Sequence, residues 1–147
     1  MIDNLHLLLN KKILSIFKVV VVEHNVEYEL DDTLIIQFED GTMVQIVMDD
    51  GIIIRNASKM DIKICGEYDL ANTSVELIVL ASDINQEVFE IHTYTRIGYT
   101  FGSKFINKKG QFIFGFCYGF DEVIIISENQ FLQMLGSYAN HTISITN

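Results

Sequence analysis

Basic residues are scarce in this 147-residue sequence, which has ten Lys and Arg against twenty Asp and Glu and a formal net charge of −10. This balance argues against binding to nucleic acid or to an anionic membrane, because both reward Lys and Arg side chains. It favours solubility and fast association with a basic protein. A hydrophobic fraction of 49% argues against intrinsic disorder. The length predicts a single domain over residues 1–147.

Cysteines are few and long hydrophobic runs are missing. Cys65 and Cys117 form no C-x-x-C motif, and a structural disulfide is not expected. The run KKILSIFKVVVV superficially resembles a signal peptide, but Lys18 interrupts it and no small-residue cleavage site follows. Its roughly ten apolar residues are too few to span a bilayer. A cytoplasmic protein is therefore expected.

Motifs for catalysis and for cofactor binding are also missing. The sequence has neither phosphate-binding glycine pattern, G-x-G-x-x-G or G-x-x-x-x-G-K-[ST], and no G-x-S-x-G nucleophile elbow. Its four histidines, at positions 6, 24, 92 and 141, do not form the close pairs that metal sites use. We therefore expect no metal, no cofactor and no enzyme. Acid–base catalysis by carboxylates brought together across strands stays open.

What the sequence does contain is alternating hydrophobicity, which predicts strands. Residues 13–22 are apolar and β-branched, and TLIIQFE (33–39) and TMVQIVM (42–48) flank Asp40-Gly41, a strong hairpin signal. A two-residue turn there would place these residues opposite each other: Phe38 and Met43, Ile36 and Gln45, Leu34 and Val47. Asp50-Gly51 repeats the signal and would return 52–55 beside the second strand. The segment predicts an antiparallel meander.

Later segments predict further strands at 60–65, 75–81, 88–95, 112–118, 122–127 and 141–145, with a loop or irregular hairpin at 98–110. A short helix is expected at 3–11. Another should follow Ser127, where Gln130 completes a capping box. The predicted fold class is mainly β (α+β): an antiparallel meander sheet or a partly closed barrel with one or two short helices.

An aromatic stripe stands out in GQFIFGFCYGF, residues 110–120. Every second position is aromatic, and the candidates for a binding surface are Phe112, Phe114, Phe116 and Tyr118. Such alternation is what a half-buried strand shows, so the rings are expected to fill a core. The alternative is a lipophilic pocket inside a small barrel, which the same rings would line.

Negative charge is concentrated in one stretch. Residues 19–54 include nine acidic residues and neither Lys nor Arg up to Ile54. A solvated surface is the simple explanation, and an electronegative face that captures a basic protein is the functional one. The candidate partner-binding residues are Glu27, Glu29, Asp31, Asp32, Glu39, Asp40, Asp49 and Asp50.

In size, acidity and lack of catalytic motifs the chain resembles the immunity proteins that neutralise bacterial contact-dependent or polymorphic toxins. The resemblance implies a small cytoplasmic antitoxin that binds a cognate basic toxin domain, in some cases a nuclease, and occludes its active site. The alternative function is a small-molecule or lipid-binding β-barrel with an aromatic-lined cavity. A homodimer is compatible with either function.

Overall fold

The computed structural model describes residues 2–48, 52–58, 61–64, 72–96, 99–119, 122–135 and 141–146. These residues form a 3-10 turn (Leu5–Leu8), a helix α1 (Glu128–Leu135) and twelve strands. The strands are β1 (Ile2–Asp3), β2 (Lys12–Glu23), β3 (Val26–Phe38), β4 (Met43–Met48), β5 (Ile52–Ala57), β6 (Thr73–Ala81), β7 (Gln86–Glu87), β8 (Glu90–Arg96), β9 (Tyr99–Ile106), β10 (Phe112–Gly119), β11 (Glu122–Ile126) and β12 (His141–Thr146). Within these residues no helix is long and apolar enough to cross a membrane.

The strands form two sheets. The first has the order β1-β5-β4-β3-β2-β6, with β7 also paired to β2, and the second has the order β11-β10-β9-β8-β12. The β1–β5 pair is parallel and the other pairs are antiparallel. The prediction of a mainly β, antiparallel fold is confirmed, and over the described strands the sheets are open rather than closed into a barrel.

The main core lies between the two sheets. Its buried side chains come from the first sheet (Ile13, Ile16, Leu34, Ile36, Phe38, Val44, Ile46 and Ile54), from the second (Ile91, Phe105, Phe114 and Phe116) and from Leu8 and Val88. Burying each large apolar side chain stabilises the fold by about 1.5–3 kcal/mol relative to leaving it in water. We call the core side of the first sheet its inner face and the opposite side its outer face.

The outer face of the first sheet carries a second apolar cluster. Val19, Val21, Leu30 and Ile35 are buried there, and Ile62 and Ile64 pack on them. Residues 61–64 form no strand, so the strand predicted at 60–65 is wrong over the described part of that range. Ile62 and Ile64 alternate with polar residues because the segment lies on the sheet, not because it pairs with a strand.

A buried glutamine holds this segment in place. Gln45 is 0% exposed. Its Nε2 donates to Lys63 O at 2.8 Å and to Thr33 Oγ1 at 2.9 Å, and its Oε1 accepts from Lys63 N at 2.9 Å and from Arg55 Nη1 at 3.0 Å. The side-chain amide thus pairs with the Lys63 backbone much as a neighbouring strand would.

The β3–β4 hairpin forms as predicted, but its predicted register is wrong by one residue. Gln37 lies opposite Met43, Ile36 opposite Val44, Ile35 opposite Gln45, Leu34 opposite Ile46 and Thr33 opposite Val47. The loop has three residues, because Gly41 N donates to Phe38 O at 3.0 Å and Phe38 N donates to Thr42 O at 2.9 Å. Gly41 supplies the positive φ of +85° that such a loop requires. The shift moves Gln45 to the outer face.

An unpredicted hairpin joins β2 to β3. His24 and Asn25 form a two-residue loop with φ of 50° and 64°, and Glu23 lies opposite Val26. Pairing then breaks between Val19 opposite Leu30 and Lys18 opposite Leu34. Three residues of β3, numbers 31–33, are extra at this point, and we call them the acidic bulge. Because three is an odd number, the even-numbered residues of β3 lie on the outer face before the bulge and on the inner face after it.

The second sheet also departs from expectation. Residues 99–106, expected in a loop or irregular hairpin, form β9 at the centre of the sheet. Gly102 permits this pairing, since a Cβ there would lie 2.3 Å from Phe116 O. The capping box of α1 is confirmed, with Ser127 N donating to Gln130 Oε1 at 2.8 Å and Gln130 N donating to Ser127 Oγ at 3.3 Å.

Candidate functional site

The predicted partner-binding residues are divided between the two ends of β3. Glu27 and Glu29 lie near the β2–β3 turn, whereas Glu39 and Asp40 lie in the β3–β4 loop. Along β2, which has no extra residues opposite the bulge, the two groups lie about 8–11 residues apart, or roughly 25–35 Å at about 3.3 Å per residue. A partner protein with an interface of ordinary size would therefore be centred on one of the two groups and not on both. Asp49 and Asp50 lie outside the described residues.

The carboxylates in the β3–β4 loop already have partners. Glu39 Oε2 lies 3.6 Å from Lys12 Nζ, and Asp40 Oδ2 lies 4.0 Å from Lys11 Nζ. Thr42 donates from its hydroxyl to Asp40 Oδ1 at 2.5 Å and from its backbone N at 2.9 Å. The Thr42 hydroxyl, followed by its backbone N–H, lowers the pKa of Asp40. These residues shape the turn and are partly neutralised.

The carboxylates at the other end share one face. Across three neighbouring strands, Glu76 of β6 lies opposite Val20 of β2, which lies opposite Glu29 of β3. Val22 lies opposite Glu27 in the next row. Since directly opposite residues project to the same side, Glu27, Glu29 and Glu76 project together, roughly 7–12 Å apart. We call these three the acidic face; it continues the inner face beyond the apolar core.

Little positive charge offsets this end of the sheet. Lys18 Nζ lies 2.5 Å from Glu29 Oε1, and the Glu29 side chain is still 61% exposed. Glu27 and Glu76 are exposed and have no cationic partner among the described residues. The acidic bulge adds Asp31 and Asp32, and the part of the chain described here pairs neither with a cation. Of these five carboxylates, only Glu29 has a cationic partner, Lys18, within the described residues.

Glu76 was missing from the predicted set. It stands alone in the apolar stretch VELIVLA, so the charge run that drew attention to residues 19–54 does not reach it. Its alternation with Val75 and Leu77 could have indicated a solvent-facing position. Its nearness to Glu29 follows only from the pairing of β2 with both β3 and β6.

The aromatic stripe contributes to the core. Phe114 and Phe116 are 4% and 0% exposed, and their ring centroids lie 4.5 and 5.8 Å from that of Phe105. Phe112 is half-buried, and the Tyr118 side chain lies outside what the structure describes. Three surface grooves along the described ranges are lined by other residues. At Phe114 and Phe116 the rings pack against protein.

Cys117 lies on the same strand, 0% exposed, and burial raises the pKa of its thiol to about 11. Its thiol is thus held in the protonated form, which is a poor nucleophile and a poor metal ligand. No three His, Cys, Asp or Glu side chains within the described ranges are placed to hold a metal ion. No family model matches the chain, and neither a curated protein nor a solved structure is significantly similar to it.

Proposed function

We propose that this protein binds a basic protein through the acidic face and the acidic bulge, and inhibits it by covering its substrate-binding surface. The observation that carries this proposal is the group of five carboxylates at one end of the first sheet, with Lys18 as their one cationic partner among the described residues. Complementary charge raises association rates and rejects acidic partners.

The scaffold suits such a role. The carboxylates sit on three paired strands, so their spacing is set by the β2–β3 and β2–β6 pairing and little ordering is needed on binding. A groove that holds a phosphate backbone is lined by Lys and Arg, and a rigid array of carboxylates can occupy it in place of phosphates. A toxin nuclease domain is a partner of this kind, as the resemblance to immunity proteins suggests. In that role the protein is a cytoplasmic antitoxin.

The test compares charge reversal at the two ends of the sheet. The acidic-face variant carries Glu27→Lys and Glu76→Lys, and the matched control carries Glu39→Lys and Glu87→Lys, an equal change in net charge at exposed positions of the opposite end. The basic partner is captured from the cells of origin, identified by mass spectrometry and purified. Its association rate is then measured at several salt concentrations.

We expect the acidic-face variant to slow association about tenfold or more at low salt, and the control to change it much less. Raising the salt concentration should reduce the difference, because screening weakens exposed charge pairs. An equal effect of both variants, or association that salt does not slow, would contradict the proposal. The pocket alternative has no comparable support, since Phe114 and Phe116 pack against Phe105.

A further inference from the structure

The free edge of β6 offers a second kind of contact, which is pairing of its backbone with another strand. β6 is the last strand of the first sheet, and no strand of the described ranges pairs with its free edge, the edge away from β2. On such an edge, alternate residues point their backbone N–H and C=O groups away from the sheet. Ile78, Val79 and Leu80 are 41%, 54% and 46% exposed, so apolar side chains accompany these groups.

This edge has few of the features that usually block strand addition, and Glu76 is its one charged residue from Ser74 to Val79. From Ser74 to Val79 it contains no Lys, Arg, Pro or Gly, the residues that commonly protect or interrupt exposed edges. The pairing of β6 with β2 is regular over this stretch and shifts only at Leu80, between Val79 opposite Phe17 and Ala81 opposite Ile16. Six consecutive residues are therefore suited to pair with another strand.

We propose that the edge from Ser74 to Val79 accepts an extended strand of the basic partner, a proposal that rests on the proposed function. The side chains along the β6 edge determine which sequence pattern the partner strand should have. Glu76 projects to the inner face between Ser74 and Ile78, with Glu29 behind it, whereas Val75, Leu77 and Val79 project to the outer face. A complementary strand places Lys or Arg toward Glu76 and apolar side chains on the other side, in strict alternation.

A second copy of this chain would fit the edge less well. Each copy carries a net charge of −10, and pairing two β6 edges would bring two acidic faces onto one continuous sheet. Like charges in neighbouring strands are destabilising. A basic strand would instead place opposite charges side by side.

The experiment uses the full-length protein and two labelled peptides of equal composition, KVKVKVK and KKKKVVV. We expect the alternating peptide to bind about tenfold more tightly, and backbone N-methylation at alternate residues to abolish binding because it removes the hydrogen bonds. Hydrogen exchange should show new protection at the amides of β6. Equal affinity of the two peptides, or protection confined to other strands, would overturn the proposal.

Two variants distinguish strand pairing at the β6 edge from general attraction between opposite charges. Val79→Lys places a charge on the edge, and Val26→Lys places the same charge on β3, at a position 49% exposed. We expect only Val79→Lys to weaken binding of KVKVKVK at least fivefold, with circular dichroism confirming that both variants fold. Equal losses in the two variants would overturn the proposal. So would protection of β6 that rises with protein concentration when no peptide is present, because the occupant would then be a second copy.

Failure of the edge proposal differs from failure of the proposed function. With the captured partner, weaker binding of the Glu27→Lys, Glu76→Lys variant but unchanged binding of Val79→Lys overturns the edge proposal alone. Unchanged binding of both variants overturns both proposals. Weaker binding of both variants, with Val26→Lys unaffected, supports both.

Discussion

The hydrogen-bond network around Gln45 allows a quantitative prediction for Gln45→Met. Methionine fills a similar volume but can replace none of the four hydrogen bonds that Gln45 makes to Thr33, Arg55 and the Lys63 backbone. Each such bond contributes about 1 kcal/mol net. Thr33 is 2% exposed, so water cannot readily replace its lost partner. We expect the free energy of unfolding to fall by about 4 kcal/mol, a large share of the ~5–15 kcal/mol typical of a domain.

Urea denaturation followed by circular dichroism measures this loss, and hydrogen exchange at residues 61–64 reports whether the segment detaches from the sheet. The matched control is Thr33→Val, which removes one bond and leaves Gln45 bonded to Lys63 and Arg55; about 1 kcal/mol is expected. A loss below about 1 kcal/mol in Gln45→Met would refute the reasoning. So would equal losses in the two variants, because the Lys63 and Arg55 bonds would then contribute nothing.

Gly102, Cys117 and Thr42 can each be tested by a change or a reagent at a single residue. Gly102→Ala should abolish folding or lower the melting temperature sharply, because a Cβ would meet the Phe116 carbonyl oxygen at 2.3 Å; thermal denaturation tests this, and a near-normal melting temperature would contradict it. Cys117 should resist alkylation at pH 8 until denaturant is added, because burial raises its pKa to about 11; peptide mapping after iodoacetamide treatment would show early labelling if this is wrong. Thr42→Val should raise the pKa of Asp40, which the Thr42 hydroxyl lowers. A pKa that is lower in the folded than in the unfolded state stabilises the protein at pH values above the unfolded-state pKa, and this stabilisation is lost as the pH falls through the folded-state pKa. The Thr42→Val variant should therefore lose less stability than the original protein on acidification. An unchanged Asp40 titration by NMR would contradict this expectation.

Strand positions could be predicted from the sequence where residues alternate or are β-branched, as in β2, β6 and β10. The register of the β3–β4 hairpin could not, because Asp40-Gly41 fits a two-residue loop as well as a three-residue loop with glycine at the left-handed position. β9 was missed because Gly102 and Ser103 are unusual in strands. Ser103 is buried there through a hydroxyl contact with Thr93 at 2.9 Å.

The sequence predicts part of the geometry of the acidic face. Glu27 and Glu29 lie within an acidic run visible in the sequence, and the structure places both on the acidic face. Charge counting could not separate them from Glu39, because the Lys12 that neutralises Glu39 lies far away along the chain. Glu76 needed the β2–β6 pairing. Alternation along β10 also fails locally, since pairing shifts between Phe112 and Phe114 and Ile113 packs against the same core as Phe114.

The acidic bulge lets β3 present carboxylates and core side chains on the same side of the sheet. Leu30 belongs to the outer cluster and Leu34 to the inner core, although regular alternation would put residues four apart on the same face. The bulge absorbs this difference, so Glu27 and Glu29 point inward because their partners in β2 do. Removing all three bulge residues would leave Leu30 next to Leu34, as their partners in β2 are, and regular alternation would then keep the same faces. Related chains can therefore lack the bulge and still present these carboxylates inward.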